Sequence, residues 1–280
     1  MGTCRFCDQP AGFFRTVHPE CEAKHAAAIQ QIAAEAASAL RRADEFQPLP
    51  SRLEALAAPA RVTEAEKQQV LITQWKAALD QYLEDGVLDD DEERRLTRFR
   101  EQFLLTQSDL DRDGAFTKLV KAGALRELLS GKLPQRINII GTLPVNLQKG
   151  EVVVWAFPNS GYLEDKVRRT YVGRTQGWNI RVMKGIYYRT SAFQGHPIDQ
   201  TIRTQVDTGM VVLTNRNIYF AGSRKSVRVP YAKIISFEPY SDGIGVMRDA
   251  ATAKPQVFVT GDGWFTFNLA VNLSQMSSES

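Results

Sequence analysis

Four residues near the N-terminus have the types and spacing of metal ligands. Cys4 and Cys7 are separated by two residues, and His18 and Cys21 form a second pair with the same gap. A two-residue gap allows a tight turn to direct both side chains at one ion, and three thiolates with one imidazole form a known tetrahedral zinc donor set. We therefore predict a zinc site at these four residues. Since four protein ligands leave no open position for water, the zinc is expected to be structural.

The spacing alone leaves two alternatives open at this site. A Cys-x-x-Cys pair can also be a redox pair, with Cys21 as a bystander. His25 follows Cys21 by four residues, which is also a suitable ligand spacing on a helix, so it could replace His18. We prefer His18 because the His18-x-x-Cys21 pair resembles the second half of small zinc fingers. Three aromatic residues are expected to cover the ion: Phe6, Phe13 and Phe14.

Asp109, Asp111, Asp113 and Gly114 match the beginning of an EF-hand calcium loop. The twelfth position of such a loop should be a bidentate glutamate, and here it is Val120. We therefore favour an acidic helix start over a calcium site. The sequence also lacks the glycine-rich phosphate and dinucleotide motifs, and we expect a non-enzymatic protein.

The first half of the sequence predicts helices. Residues 22–44 are rich in alanine, with a thin apolar stripe that should pack on another helix of the chain or of a second copy, which would give a homo-oligomer. Residues 45–51 contain two prolines and are interpreted as a linker. Capping boxes at Thr63 and Asp89 begin two further helices. Residues 115–129 are expected to form a fourth helix, broken or bent near Gly123.

Residues 85–93, with the sequence DGVLDDDEE, lie between two of these helices. This motif resembles the helical hairpins of the TerB-like, tellurite-resistance-associated group. The resemblance covers about fifty residues, and it implies a connection with a stress response.

The second half of the sequence predicts an antiparallel meander, because short runs of Val, Ile, Tyr and Phe alternate with short turns. The predicted strands are 151–157, 178–183, 186–188, 210–213, 218–220, 226–229, 234–240 and 244–247. Residues 159–176 and 191–205 are interpreted as insertions between strands. Residues 262–276 fit both a helix and a strand, and Asp262 as a helix cap favours the helix.

Residues 209–220, with the sequence GMVVLTNRNIYF, resemble a strand pair of GRAM and bacterial PH-like domains. The resemblance implies a small antiparallel β-barrel closed by a C-terminal helix, which is usually a binding module. Together these patterns predict an α+β protein with four regions. They are a zinc knuckle (1–25), an Ala-rich helix with a linker (26–60), a TerB-like helical region (61–132) and a PH/GRAM-like domain (145–276).

The net charge is +3, and basic residues outnumber acidic ones only in the second half. The PH-like resemblance implies that a basic face could bind anionic headgroups or a partner protein. The candidate residues are Arg181, Lys184, Arg224, Lys225 and Arg228. No apolar run is long enough for a membrane span, and the N-terminus lacks the apolar core of a signal peptide, so we expect a cytoplasmic protein.

We therefore expect a zinc-binding adaptor whose PH-like domain docks on a membrane surface or a protein partner. The alternative is a nucleic-acid-binding protein that uses the zinc finger with Arg5, Arg15 and Lys24. Three basic residues provide few phosphate contacts, which favours the adaptor.

Overall fold

The computed structural model describes residues 2–12, 14–42, 46–84, 88–171, 197–250 and 254–278, with the side chains left aside at 166–171 and 197–202. The chain divides into two compact units, Met1–Pro134 and Gln135–Ser280. The first unit combines a small hairpin with helices, and the second combines an antiparallel sheet with one helix. The α+β class predicted from the sequence is therefore confirmed.

The described part of the first unit contains a two-stranded antiparallel hairpin followed by six helices. The strands are β1 (Gly2–Thr3) and β2 (Pro10–Gly12). The helices are α1 (Pro19–Arg41), α2 (Leu49–Ala60), α3 (Glu64–Tyr82), α4 (Asp90–Gln102), α5 (Gln107–Leu110) and α6 (Ala115–Leu129). Their core includes Trp75, whose indole nitrogen donates a 2.9 Å hydrogen bond to the carbonyl oxygen of Leu96.

The apolar stripe of α1 is buried inside the first unit. Ile32, Ala36 and Leu40 have no exposed surface, and α1 packs against both α2 and α3. The small side chains of the stripe permit this close helix packing, so the helix partner predicted from the sequence lies within the chain. Burial of the stripe therefore does not require a second copy, and self-association remains a prediction.

The predicted linker at residues 45–51 is partly wrong, because α2 begins at Leu49 and extends to Ala60. Pro48 is the N-cap residue, and Pro50 lies in the first turn of α2. Backbone N–H groups in the first turn have no acceptor within the helix, so a proline there removes no helical hydrogen bond. Prolines at this end of a helix are compatible with it, whereas the sequence interpretation treated them as helix breakers. Leu53 and Ala57 of this unpredicted helix are buried in the core.

The two predicted capping boxes are both present. The backbone N–H of Glu66 donates to the Thr63 hydroxyl at 3.2 Å, and that of Glu92 donates to the Asp89 carboxylate at 2.7 Å. In each box the glutamate side chain accepts from the N-cap backbone, so the start of α3 and the start of α4 are both satisfied. The alternative in which the helix breaks near Gly123 is wrong, since α6 is a continuous helix through that residue.

The described part of the second unit contains a seven-stranded antiparallel sheet and a C-terminal helix. The strands are β3 (Val153–Tyr171), β4 (Pro197–Thr214), β5 (Asn217–Gly222), β6 (Ser226–Pro230), β7 (Ile234–Pro239), β8 (Gly243–Arg248) and β9 (Gln256–Val259). Their order across the sheet is β6-β5-β4-β3-β9-β8-β7. Since β6 and β7 are edge strands, the sheet is open within the described ranges, and the predicted closure into a barrel is not found there.

Two predicted insertions are partly wrong, because residues 159–171 continue β3 and residues 197–205 belong to β4. The register between β3 and β4 shifts at Phe157/Ser160 and at Tyr162/Leu163. Such bulges interrupt the two-residue alternation of side chains, which removes the sequence signal for one long strand. β9 was not predicted, and the predicted strands 178–183 and 186–188 lie outside the described residues.

The helix predicted at residues 262–276 is confirmed as α7 (Gly263–Ser278). The Asp262 carboxylate accepts a 3.1 Å hydrogen bond from the backbone N–H of Phe265, as expected for a helix cap. Phe265 is buried and packs edge-on against Trp155 of β3, with ring centroids 4.8 Å apart. This contact fixes α7 on the sheet. Among the helices of the described ranges, none has both the length and the apolar character that crossing a membrane requires.

Candidate metal centre

The structure brings the four predicted ligands together. One ligand atom from each of Cys4, Cys7, His18 and Cys21 lies within 4.8 Å of the other three. Within the described parts of the chain, no other group of three or more His, Cys, Asp or Glu residues meets the same geometric test. Cys21 belongs to the cluster with Cys4 and Cys7, so the alternative in which it is a bystander of a redox pair does not fit this arrangement.

The turn between β1 and β2 positions the first two cysteines. The backbone N–H of Cys4 donates to the carbonyl oxygen of Gln9 at 2.9 Å, and that of Asp8 donates to the carbonyl oxygen of Cys4 at the same distance. Asp8 has a positive φ of 60°, a conformation in which Asn and Asp are enriched among residues other than glycine. This tight turn directs the thiols of Cys4 and Cys7 toward the start of α1.

His18 and Cys21 lie at the start of α1, where His18 is the N-cap residue and Pro19 occupies the first turn. The Nδ1 atom of His18 is 3.3 Å from the Cys7 sulfur and 3.8 Å from the Cys21 sulfur. Zinc bond lengths of about 2.3 Å to sulfur and about 2.0 Å to nitrogen imply S···N separations of about 3.5 Å across a tetrahedral angle. Both observed separations are close to that value, so the cluster has the dimensions of a zinc site.

The thiols of this cluster have unequal proton affinities. Burial raises the pKa of Cys4, but backbone hydrogen bonds from His18, Phe6 and Cys7 outweigh burial and lower the pKa of Cys4 to about 6. Burial also raises the pKa of Cys21, and the neighbouring Cys7 and Cys4 add to the effect, so its pKa is about 11. The raised pKa of Cys21 reflects the cost of a further negative charge beside Cys4 and Cys7, and a divalent cation between the three sulfur atoms would offset that cost.

His25, the alternative ligand, has a different role in the structure. Its Nδ1 atom lies 2.9 Å from the carbonyl oxygen of Ala60, and its Nε2 atom lies 3.2 Å from the Glu66 carboxylate. Both ring nitrogens are therefore engaged by the junction between α2 and α3. The ring also stacks on Phe6 with centroids 4.4 Å apart. His25 thus packs the cysteine-bearing turn onto the helices, and His18 completes the cluster.

Arg61 is a residue of this region that the sequence interpretation missed. It is the C-cap residue of α2, and its guanidinium forms an ion pair with Asp8 and donates a 3.4 Å hydrogen bond to the carbonyl oxygen of Arg5. The hydrogen bond from Arg61 to Asp8 raises the pKa of Arg61, and the charges of Cys7 and Cys4 contribute further. Because Arg61 is 53 residues from Asp8 in sequence, no local spacing could have revealed this contact.

The three aromatic residues predicted to cover the ion have different surroundings. Phe6 lies against His25, and the Arg5 guanidinium lies 4.6 Å from the centre of the Phe6 ring. Phe14 is fully exposed, so its predicted covering role is wrong. Phe13 lies outside the described residues.

The acidic sequence around Asp111 does not form a calcium loop. Asp109 is the N3 residue of a capping box that begins at Thr106, and Asp113 pairs with Lys76 at 2.9 Å. Asp111 accepts hydrogen bonds of 2.8 Å from both the backbone N–H and the hydroxyl of Thr117. The carboxylates of Asp109, Asp111 and Asp113 therefore bind three different partners, which agrees with the helix-start interpretation.

The basic residues predicted for the second unit have different surroundings where the structure describes them. Lys225 forms a 3.0 Å ion pair with Glu164, and its Nζ atom lies 6.0 Å from the centre of the Tyr162 ring. Arg228 is exposed on β6 and lies opposite Tyr219. Lys225 lies over Tyr162, which stacks on Phe220, whereas Tyr219 precedes Phe220 on β5 and so points to the other face of the sheet. Arg228 therefore lies on the face opposite to Lys225. Arg224 is exposed in the turn before β6, and Arg181 and Lys184 lie outside the described residues.

No protein-family model matches the sequence, and no curated protein matches it either. The functional argument therefore depends on the geometry of the cluster.

Proposed function

We propose that the first unit binds one structural zinc ion and that the chain is a non-enzymatic adaptor. The observation that supports zinc most strongly is the convergence of three sulfur atoms and one imidazole nitrogen within 4.8 Å. Thiolate and imidazole donors in a tetrahedral arrangement are typical of structural zinc. When all four bind, no coordination position is left for a substrate or a reactive water.

The residues around the cluster fit a bound cation. Three thiolates and a neutral imidazole around a divalent ion have a net charge of −1, and the Arg61 guanidinium lies beside the turn that holds two of the thiolates. The segment before α1 has only two short strands and little core of its own. Metal binding would therefore provide much of the free energy that orders this segment.

The zinc proposal is tested by elemental analysis of the purified full chain. We expect one zinc per chain, and loss of that zinc in Cys4→Ser and Cys21→Ser. His18→Ala and His25→Ala form a matched pair, because both residues lie on or beside the first turns of α1. We expect His18→Ala to lose zinc and His25→Ala to retain it. Absence of metal from the unmodified protein, or retention of full occupancy in Cys21→Ser, would refute the proposal.

For the second unit, we propose a PH-like module that docks a protein partner. An antiparallel sheet of seven strands followed by a C-terminal helix supports the resemblance to PH-like domains. A protein partner is favoured over an anionic membrane because Lys225 is paired with Glu164 and because Arg228 points to the other face of the sheet. Ile235 is 65% exposed and offers an apolar contact on β7, which pairs with β8 on one side and has no strand neighbour on the other among the described residues.

Three binding assays on the full chain separate the possible partners. Co-sedimentation with anionic vesicles tests the membrane, fluorescence anisotropy with DNA and RNA tests nucleic acid, and affinity capture from the native host tests proteins. We expect a captured protein that is lost in Ile235→Lys and kept in the control Lys233→Gln. Salt-sensitive oligonucleotide binding would overturn the adaptor proposal, and vesicle binding without protein capture would overturn the choice of a protein partner.

A further inference from the structure

Arg61 lies between the cysteine-bearing turn and the helices. It follows the last residue of α2 and has a positive φ of 50°, while its backbone N–H donates to the carbonyl oxygen of Ala58 at 3.2 Å. From this position its guanidinium contacts the turn that carries Cys4 and Cys7 at two points. One nitrogen donates to the Arg5 carbonyl oxygen, and another pairs with the Asp8 carboxylate. These two contacts enclose the two residues between Arg5 and Asp8, one of which is the ligand Cys7.

A second contact fixes the same turn to the same junction of helices. Phe6 stacks on His25, and His25 is held by the carbonyl oxygen of Ala60 and the carboxylate of Glu66. Ala60 directly precedes Arg61 in the chain. The turn is therefore attached to the α2–α3 junction through an aromatic stack on one side and a guanidinium on the other.

From these contacts we infer that Arg61 is a positioning residue of the metal centre and sets its affinity. This inference rests on the metal site proposed above. The guanidinium fixes the main chain on either side of Cys7 and places a permanent positive charge beside a site with a net charge of −1. Residues outside the ligand set that orient ligands typically change metal affinity by about 10–100-fold when they are replaced.

Arg52 provides a matched control. It lies on the same helix, α2, and forms an exposed ion pair of 3.3 Å with Glu35. Glu35 lies in the middle of α1, away in sequence from the cysteine-bearing turn. Replacing either arginine by glutamine removes one positive charge and one ion pair from α2 or its cap. A difference between the two variants therefore reports the contact of Arg61 with the turn, not the loss of charge from the helix.

The test is a competition between the full-length protein and a chromophoric chelator for zinc. We expect about 10–100-fold weaker zinc binding in Arg61→Gln than in Arg52→Gln, and a smaller loss in Arg61→Lys, which keeps the charge. The difference between Arg61→Gln and Arg61→Lys should shrink at high salt, because exposed charges are screened. Urea unfolding of the metal-free variants controls for general instability, and we expect similar midpoints for Arg61→Gln and Arg52→Gln.

Two outcomes separate this inference from the proposed function. If the unmodified protein binds no zinc, the metal site itself is refuted. If the unmodified protein binds zinc and Arg61→Gln binds it as tightly as Arg52→Gln, the role of Arg61 is refuted while the metal site stands. A metal-free Arg61→Gln protein that unfolds at much lower urea than Arg52→Gln would also overturn the inference, because the weaker zinc binding would then follow from a weakened fold.

Discussion

The Nε2 atom of His18 lies 3.0 Å from the carbonyl oxygen of Pro10, on the strand β2 that follows the first cysteine pair. A carbonyl oxygen only accepts hydrogen bonds, so Nε2 must bear the proton in the neutral ring. Nδ1 then has a free lone pair, and it is Nδ1 that faces the sulfur atoms of Cys7 and Cys21. The main chain of β2 thus selects the tautomer in which His18 can bind a metal through Nδ1.

This relationship predicts the coordination mode of His18. In the zinc-loaded protein, long-range proton–nitrogen NMR correlations should show a protonated Nε2 and a metal-bound Nδ1 for His18. His25 should show no metal-bound nitrogen, and removal of zinc with a chelator should change the His18 pattern far more than that of His25. A metal-bound Nε2 on His18 would contradict the role assigned to the Pro10 carbonyl.

Glu151 should control the acid stability of the second unit. It is buried, and its carboxylate accepts hydrogen bonds of 2.5 Å from Thr214 and 2.7 Å from each of Asn217, Tyr219 and the backbone N–H of Gln148. Burial raises the pKa of Glu151, but these hydrogen bonds outweigh burial and hold its pKa below the usual value. A depressed pKa in the folded state stabilises the protein above the unfolded pKa of about 4.3, and this stabilisation is lost as the pH falls through the folded pKa.

We therefore expect Glu151→Gln to lower the free energy of unfolding of this unit by about 1–3 kcal/mol at pH 7, because a buried donor loses its acceptor. Between about pH 5 and pH 3, the variant should lose less stability than the unmodified protein. Glu238→Gln, at an exposed position on β7, is the control. Hydrogen exchange of peptides from β4 and β5 measures the effect, and identical pH profiles for Glu151→Gln and the unmodified protein would disprove it.

Asp111 is predicted to stabilise the start of α6 without binding calcium. Its carboxylate accepts from the backbone N–H of Thr117, the third residue of the helix. Asp111→Ala should cost about 0.5–2 kcal/mol, as expected for a lost helix cap. Asp113→Ala, which removes an ion pair with Lys76 on a largely exposed carboxylate, should cost less. Thermal unfolding with and without millimolar calcium is the measurement, and a calcium-dependent rise in Tm that disappears in Asp111→Ala would reinstate the calcium loop.

The features predicted correctly from the sequence are those encoded over short distances. The two ligand pairs each span four residues, and the capping boxes at Thr63 and Asp89 also span four. Asp262 marks the start of α7 by the same local chemistry. In each case, the interacting groups lie within a few residues of one another in sequence. Their spacing is therefore sufficient to predict the local structure.

The features that were missed depend on tertiary contacts or on irregular geometry. The contact between Arg61 and Asp8 depends on the tertiary packing of α2 on α1, and no sequence pattern links the two positions. The helix α2 was hidden by Pro48 and Pro50, which are also common in turns. The extension of β3 was hidden by bulges that disturb the alternation of its side chains.

The last prediction concerns Ala36 on α1, which has no exposed surface and lies in the core of the first unit. If the alanine stripe is an intramolecular packing surface, a larger side chain at this position has no space. Ala36→Leu should therefore lower the free energy of unfolding by about 1–3 kcal/mol, the usual cost of overpacking a core. Ala34→Leu, two residues earlier at an exposed position, should be close to neutral.

Urea unfolding of both leucine variants, combined with light scattering, decides between packing within the chain and pairing with a second copy. We expect Ala36→Leu to be the less stable variant and to have the same molar mass as the unmodified protein, since the packed face is internal. If the Ala36 stripe were instead the contact between two copies, the substitution would change the measured mass and its cost would depend on protein concentration. A concentration-dependent cost would therefore reject the intramolecular role of Ala36 and support a homo-oligomer through α1.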